Sequence, residues 1–235
     1  MQMEYDWALR EATTAGRENL DPVHALDYDR KENASADVEV ELLKRLGLSK
    51  TSEVVDFGAG TGQFTLAAAS IAARVVAVDI SPVMLTVLKN KVREASLENV
   101  DVVQSGFLTY QHAGAPADFV YSRFALHHLP DLWKAIALGR VRQITRPGGV
   151  LRLWDVVYNC SPQDAESRLV AWCATLPRED QGGGWARADI EEHIRDEHST
   201  FTWLLEPMME RSGFQIDRAE YSSDGIFAQY IARAV

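Results

Sequence analysis

Four groups of residues in this 235-residue chain have types and spacings that could do chemistry. The first is Asp56-Phe57-Gly58-Ala59-Gly60-Thr61-Gly62, an acid followed by three alternating glycines. Glycines so spaced let a ligand approach the backbone, and a helix starting behind them offers unpaired N–H groups. The second is Asp79, about twenty residues beyond the glycines, whose carboxylate can accept both hydroxyls of a ribose. The third runs from Ser122 to Asp131 and holds Arg123, Phe124, His127 and His128. Its imidazoles could move a proton, or they could simply satisfy the backbone of a turn. The fourth is Trp154-Asp155. Together they describe a nucleoside-type cofactor beside a group able to take a proton.

Positioning these residues requires alternating strands and helices. Glu53 to Phe57 is a short apolar run suited to a strand buried on both faces, and Phe64 with the Ala-rich stretch Thr65 to Ala73 suits a helix. A second strand, Arg74 to Val78, delivers Asp79 and Ile80. Ser81-Pro82 then caps a helix to Ala95 with Met84, Leu85, Leu88 and Val92 on one face. The third strand is Val100 to Gln104, followed by Ser105-Gly106-Phe107. The fourth is Ala117 to Tyr121. Asp131 caps a helix from Leu132 to Thr145, Arg146 to Gly149 form a turn, and strand five is Val150 to Val157. Before the first strand the pattern predicts a short helix over Met3 to Thr14. A second helix runs from Ser35 to Gly47, with Val38, Leu42, Leu43 and Leu46 at helical spacing. After strand five it predicts a helix over Gln163 to Leu176, a hinge at Gly182 to Trp185 and a polar helix over Ala188 to Glu197. Phe201 to Ser212 follows as a helix with Trp203, Leu204, Leu205, Met208 and Met209 inward. Strands Phe214 to Tyr221 and Ile226 to Ala232 form a hairpin about Ser222 to Gly225. No strand is expected between 159 and 200.

Four blocks in this order, Asp56 to Gly62, Asp79, Ala125-Leu126-His127-His128-Leu129 and Pro147-Gly148-Gly149, resemble the class I S-adenosylmethionine (SAM) methyltransferases of the small-molecule kind, type 11/25-like. The resemblance implies one α/β domain over 1–235. It would be a Rossmann-like three-layer αβα sandwich on a mainly parallel seven-stranded sheet, the last strand antiparallel. SAM would lie across the carboxyl ends of strands one, two and four, with S-adenosylhomocysteine as product. Asp56, Gly58, Ala59, Gly60 and Phe64 would surround its methionine part, and Asp79 its ribose. Ile80 and Met84 would lie beside the adenine, with Gly106 and Phe107 on the other side. Arg123 and Phe124 would complete the site, Arg123 touching either the cofactor or an anionic acceptor. Family members commonly carry an acid for the adenine amino group where this chain has Gly106, or Ser105 with a one-residue shift. That is a departure. Catalysis of methyl transfer can rest largely on orientation in a dry pocket, so no base is assigned. His127 and Asp155 are candidates, His127 preferred over His128 as nearer the end of strand four. Residues 1–34, including Asp27-Tyr28-Asp29, would form a covering arm. Residues 159–200 would form a lid-like insertion, or equally a structural or dimer-forming one.

Composition narrows the partners. A net charge of -10 and pI of about 5.1 disfavour nucleic acid, and Ser122 to Ala125 stand where DNA-amino methylating enzymes carry an Asn/Asp-Pro-Pro-Tyr-like box. No run of eighteen apolar residues predicts a membrane span, and Met1 to Arg10 have no apolar core of a secretory leader. Cys160 and Cys173 form no disulfide framework, so a reducing cytoplasm is expected. His193 and His198, five apart, do not share a helical face, and Asp189 and Glu192 add no ligand pattern, so no metal is expected. The partner would be a small-molecule acceptor, the chain a monomer or homodimer. Two alternatives stay open. An NAD-dependent oxidoreductase is favoured by Asp79 and the βαβ order, but opposed by Gln63 in the third-glycine slot and by the His-His-Leu block. A catalytically silent SAM-binding protein is favoured by the missing acid at Gly106.

Overall fold

The computed structural model describes residues 6–13, 29, 36–178 and 184–235. At its centre is β1 (Glu53–Phe57), buried on both faces from Val54 onward. It pairs in parallel with β2 (Arg74–Asp79) on one side and β4 (Ala117–Arg123) on the other. β3 (Val100–Gln104) lies outside β2, and β5 (Thr145–Tyr158) outside β4, both parallel. β8 (Phe227–Ala234) then runs antiparallel between β5 and β7 (Phe214–Tyr221), giving the order β3-β2-β1-β4-β5-β8-β7. The direction of chain growth reverses between β1 and β4, which opens a crevice at the carboxyl ends of these strands.

Three helices cover one face: α1 (Ala36–Arg45), α2 (Gln63–Ala69) and α3 (Pro82–Glu94). Val40, Leu43, Phe64 and Ala68 pack there on Val54, Val75 and Phe119, and Leu85 and Leu88 on Ala77. The other face carries α4 (Asp131–Ile144) and α7 (Thr202–Arg211). Trp133, Ala137, Leu205 and Met209 pack there against Val55, Phe57 and Leu153. The alternation of β1, Val54 to one side and Val55 to the other, makes these two separate cores and a three-layer sandwich. Residues after β5 form α5 (Pro162–Ala174) and α6 (Arg187–Asp196), outside the sandwich proper.

Several expectations are corrected. In α1, Val38 is 67% exposed, while Glu39, Val40 and Leu43 are buried. Glu39 turns inward because Arg152 on β5 grips both its oxygens, at 2.7 and 2.8 Å. Trp203 is 50% exposed because Thr202, Leu205 and Met209 take the core side of α7, and it stacks instead on Phe201. The turn expected at 146–149 lies within β5. Thr145 pairs with Ala117 and Val150 with Phe119, so the Pro-Gly-Gly segment bulges between two ladder contacts. A two-residue strand, β6 (Thr200–Phe201), parallel to the end of β5, straddles the end of the insertion and the start of the expected helix, which begins at Thr202. Of the first expected helix, residues 11–13 form a single 3-10 turn. Asp27, Tyr28, Gly182 and Gly183 lie outside the described residues. Among the described residues, no helix is long and apolar enough to cross a membrane.

Candidate functional site

The loop after β1 is built around two glycines that nothing larger could replace. Gly58 and Gly62 have φ of 71° and 89°, in the left-handed region. A Cβ at Gly58 would land on the Ala125 side chain, and one at Gly62 on Leu88. The N–H groups of Gly58 and Ala59 donate to the Val78 carbonyl at 2.9 and 3.1 Å, tying the loop to β2. Asp79, at the end of β2, accepts from Gly60 N–H and Ser81 N–H, each at 2.8 Å. Its two oxygens are therefore fixed in direction, and each keeps lone pairs facing the crevice. Burial raises its pKa, against the pull of those two bonds. Asp56 accepts from the Thr65 hydroxyl at 2.5 Å. Burial, with the Asp79 charge adding to it, pushes the Asp56 carboxyl up to about 7. Asp29 holds the loop from outside, bonded to Thr61, Lys91 and, at 3.2 Å, Gln63. Burial would raise the Asp29 pKa, but the bonds to Lys91 and Thr61 outweigh it.

Two adjoining cavities open at this loop. Asp79, Ile80, Met84, Gly106 and Phe107 line the first, with Ser105, Ala125, His128 and Leu129. Asp56, Ala59, Phe64 and Arg123 line the second, with Thr61, Gln63 and Tyr121; Gly58, Gly60 and Phe124 line both. Every residue expected at the cofactor thus stands in one wall or the other. Glu11, which no motif marks, also lines the first cavity. Its carboxylate accepts from Leu108 N–H at 3.0 Å and from the Thr109 hydroxyl at 3.2 Å. A Cβ at Gly106 would collide with that carboxylate. An acid from the N-terminal segment therefore fills the space a side chain at 106 would need. Burial raises the Glu11 pKa, although its hydrogen bonds oppose this.

Phe124 joins these cavities to a third. It has φ of 49°, a strained conformation for a bulky residue. Its ring packs near Trp154 and Phe227, and the Arg123 guanidinium sits over Phe124 and Trp154, 4.8 and 4.2 Å from the ring centres. Behind them lies a cavity of about 420 Å³ lined by Phe124, Trp154, Tyr221 and Phe227, with Glu220, Ser222 and Gln229. The Trp154 Nε1, Tyr121 hydroxyl and Ser122 hydroxyl are buried without a hydrogen-bond partner.

This arrangement has known counterparts. A profile described as a methyltransferase domain matches residues 54–149, from β1 through the Pro-Gly-Gly bulge. The chain carries the methyltransferase domain of the class I SAM-dependent family. It is 27% identical over 163 residues to an uncharacterized methyltransferase of Anoxybacillus flavithermus, covering 69% of each chain. It is 26% identical over 197 residues to a demethylmenaquinone methyltransferase of Staphylococcus aureus, covering 81% of this chain and 79% of the relative. Its fold superposes with a TM-score of 0.69, at 15% identity, on a Haemonchus contortus phosphoethanolamine N-methyltransferase solved with S-adenosylhomocysteine, covering 97% of this chain and 60% of that one. The NAD alternative therefore falls, as Gln63 in the third-glycine slot indicated.

The residues present in this methyltransferase fit its cofactor. The Gly58 cradle admits no side chain, Asp79 offers fixed acceptors for a diol, and Arg123 is the cation in the second cavity. The histidines require correction. His127 lies behind the crevice, not in it: Asp155 engages its Nδ1, and Glu197 Oε2 stands 3.0 Å from its Nε2. Burial lowers the His127 pKa, but the two carboxylates overcome this and raise it to about 10. A ring so held has no free nitrogen for a substrate proton. Asp155 is likewise buried against His127 and the Val156 N–H, away from the described cavities. His128 is the imidazole that lines the crevice, and burial together with the neighbouring His127 lowers its pKa to about 3.

Proposed function

We propose that the protein methylates a small, flat, largely apolar acceptor held in the aromatic cavity behind Phe124. The observation that carries this reading is the position of Phe124 itself, shared by the two cofactor cavities and the aromatic one. A strained residue at such a junction is held there by its surroundings, and strain of this kind concentrates at functional sites. When bound, SAM supplies a methyl group on a good sulfonium leaving group. The chain supplies position. Asp79 would take the ribose hydroxyls and Arg123 the methionine carboxylate. Asp56, Gly58, Ala59, Gly60 and Phe64 would enclose the methionine chain. Ile80, Met84 and Phe107 would sandwich the adenine, and Glu11 would accept from its amino group beside Gly106. Trp154 Nε1, buried without a partner, would donate to an acceptor oxygen. The aromatic rings exclude water and orient the nucleophile, which can supply a large part of the rate. A relative named as a demethylmenaquinone methyltransferase points the same way, toward a quinone-type ring. Glu11 beside Gly106 would replace the missing acid that favoured a silent cofactor-binding protein.

Calorimetric titration with SAM, S-adenosylhomocysteine and NAD, on the wild type and Asp79→Ala, tests the cofactor assignment. Phenols, quinols and amines are then screened for release of S-adenosylhomocysteine. We expect binding of both SAM compounds but not NAD, and at least tenfold weaker binding in Asp79→Ala. With an acceptor found, Phe227→Ala should raise its KM while leaving SAM affinity unchanged. An unchanged acceptor KM would remove the aromatic cavity from the reaction.

A further inference from the structure

A second cluster of chemically capable side chains lies just behind the crevice. His127 comes from the 3-10 turn after β4, whereas His193 and Glu197 come from α6 and its C-terminal cap, in the insertion. His127 Nε2, His193 Nδ1 and Glu197 Oε2 all lie within 4.8 Å of one another. We propose that these three atoms bind a divalent transition-metal ion of the zinc type, which fastens the insertion to the turn beside the cofactor crevice.

The orientation of each imidazole carries the argument. Asp155 holds Nδ1 of His127, so Nε2 is the nitrogen turned toward the cluster. The Ser199 hydroxyl meets Nε2 of His193 at 2.8 Å, so Nδ1 is the nitrogen turned inward. Metal-binding histidines are characteristically fixed in this way, by a carboxylate or other polar partner on the far ring nitrogen. Glu197 Oε2 is buried between both inward nitrogens, 3.0 Å from His127 Nε2 and in contact with His193 Nδ1. Two nitrogens and an oxygen that converge on one small volume have the disposition of ligands about a cation.

Charge and surroundings agree. A buried carboxylate, Asp155, and a half-buried one, Glu197, meet three imidazoles, with His128 Nδ1 3.8 Å from Glu197 Oε1. A divalent ion taking the place of the proton on His127 would balance the two carboxylates. Trp172 lies edge-on to His193 and shields the cluster with apolar surface. Two imidazoles and a carboxylate suit zinc and its neighbours rather than calcium or magnesium, which prefer all-oxygen sites. The expectation of no metal rests on His193, His198, Asp189 and Glu192, which show no ligand pattern by spacing. The pair that shares a helical face is His193 and Glu197, four residues apart, and the third ligand is distant in sequence.

The untagged full chain, stripped by chelator and dialysed, is titrated with Co2+ and then Zn2+. Visible d–d absorption, the thermal midpoint and metal content are followed. We expect one equivalent of Co2+ to produce bands that Zn2+ displaces, with a rise in midpoint at the same stoichiometry. Glu197→Gln and His193→Ala should lose the bands and the midpoint rise, while circular dichroism and SAM binding remain those of the wild type. Asp155→Asn should weaken metal binding about 10–100-fold. If the wild type binds no stoichiometric ion, or if the variants only lower stability equally with and without metal, the cluster is an ion-pair latch and the proposal is overturned.

Discussion

Glu11 is placed to restore the acid that the loop after β3 lacks. Its carboxylate is already anchored by Leu108 N–H and the Thr109 hydroxyl, so it could meet an adenine amino group without reorganising. Glu11→Gln preserves shape and removes charge. A hydrogen bond to a charged group contributes about 1.5–3 kcal/mol, so SAM affinity should fall by roughly tenfold or more by calorimetry. Burial raises the Glu11 pKa, and only its ionised form accepts at both oxygens. The affinity of the wild type should therefore rise as pH increases through that raised pKa, and this rise should vanish in Glu11→Gln. Equal affinities in both proteins across pH would reduce Glu11 to a pin for the N-terminal segment.

At the scale of elements, the packing of α1 depends on one buried ion pair. Arg152 on β5 reaches both oxygens of Glu39 and also Gln229 of β8, with Arg152 and Glu39 almost wholly buried. Removing one partner strands a buried charge and typically costs about 3–5 kcal/mol. Glu39→Ala should lower stability by that amount in urea unfolding, and the double variant Glu39→Leu/Arg152→Met should recover most of it. If the single variant costs under about 1 kcal/mol, the pair is as weak as exposed ones. This pair also explains why helical spacing alone misplaces the buried face of α1. Val38 and Leu42 follow helical spacing, but periodicity carries no information on a partner more than a hundred residues away. The helix itself was legible, and its rotation was not.

For the whole molecule, a ligand seated across β1, β2 and β4 should stabilise the sandwich as a unit. SAM at about 100 times its Kd would add about 2.7 kcal/mol by mass action. In a domain of this size that corresponds to a rise in Tm of roughly 5–10 °C. NAD at the same concentration should leave Tm unchanged. A Tm insensitive to SAM would mean that the crevice does not bind it in the folded protein.

The sequence by itself determined what depends on local spacing. Glycines at 58, 60 and 62, an acid closing β2 and strands alternating with capped helices are legible because each is a short-range pattern, and the family resemblance they carry implies the parallel sheet. The residues that the resemblance assigns to the cofactor all line the two adjoining cavities, since strand ends in a parallel sheet converge on one edge. Tertiary structure alone decided the rest. Glu11 reaches Gly106 from the far N-terminal side, and Glu39 meets Arg152 across the sheet. His127 is turned from the crevice into a cluster with the insertion, leaving His128 at the wall. Each of these depends on contacts between distant segments, where burial and charge, not spacing, choose the partner.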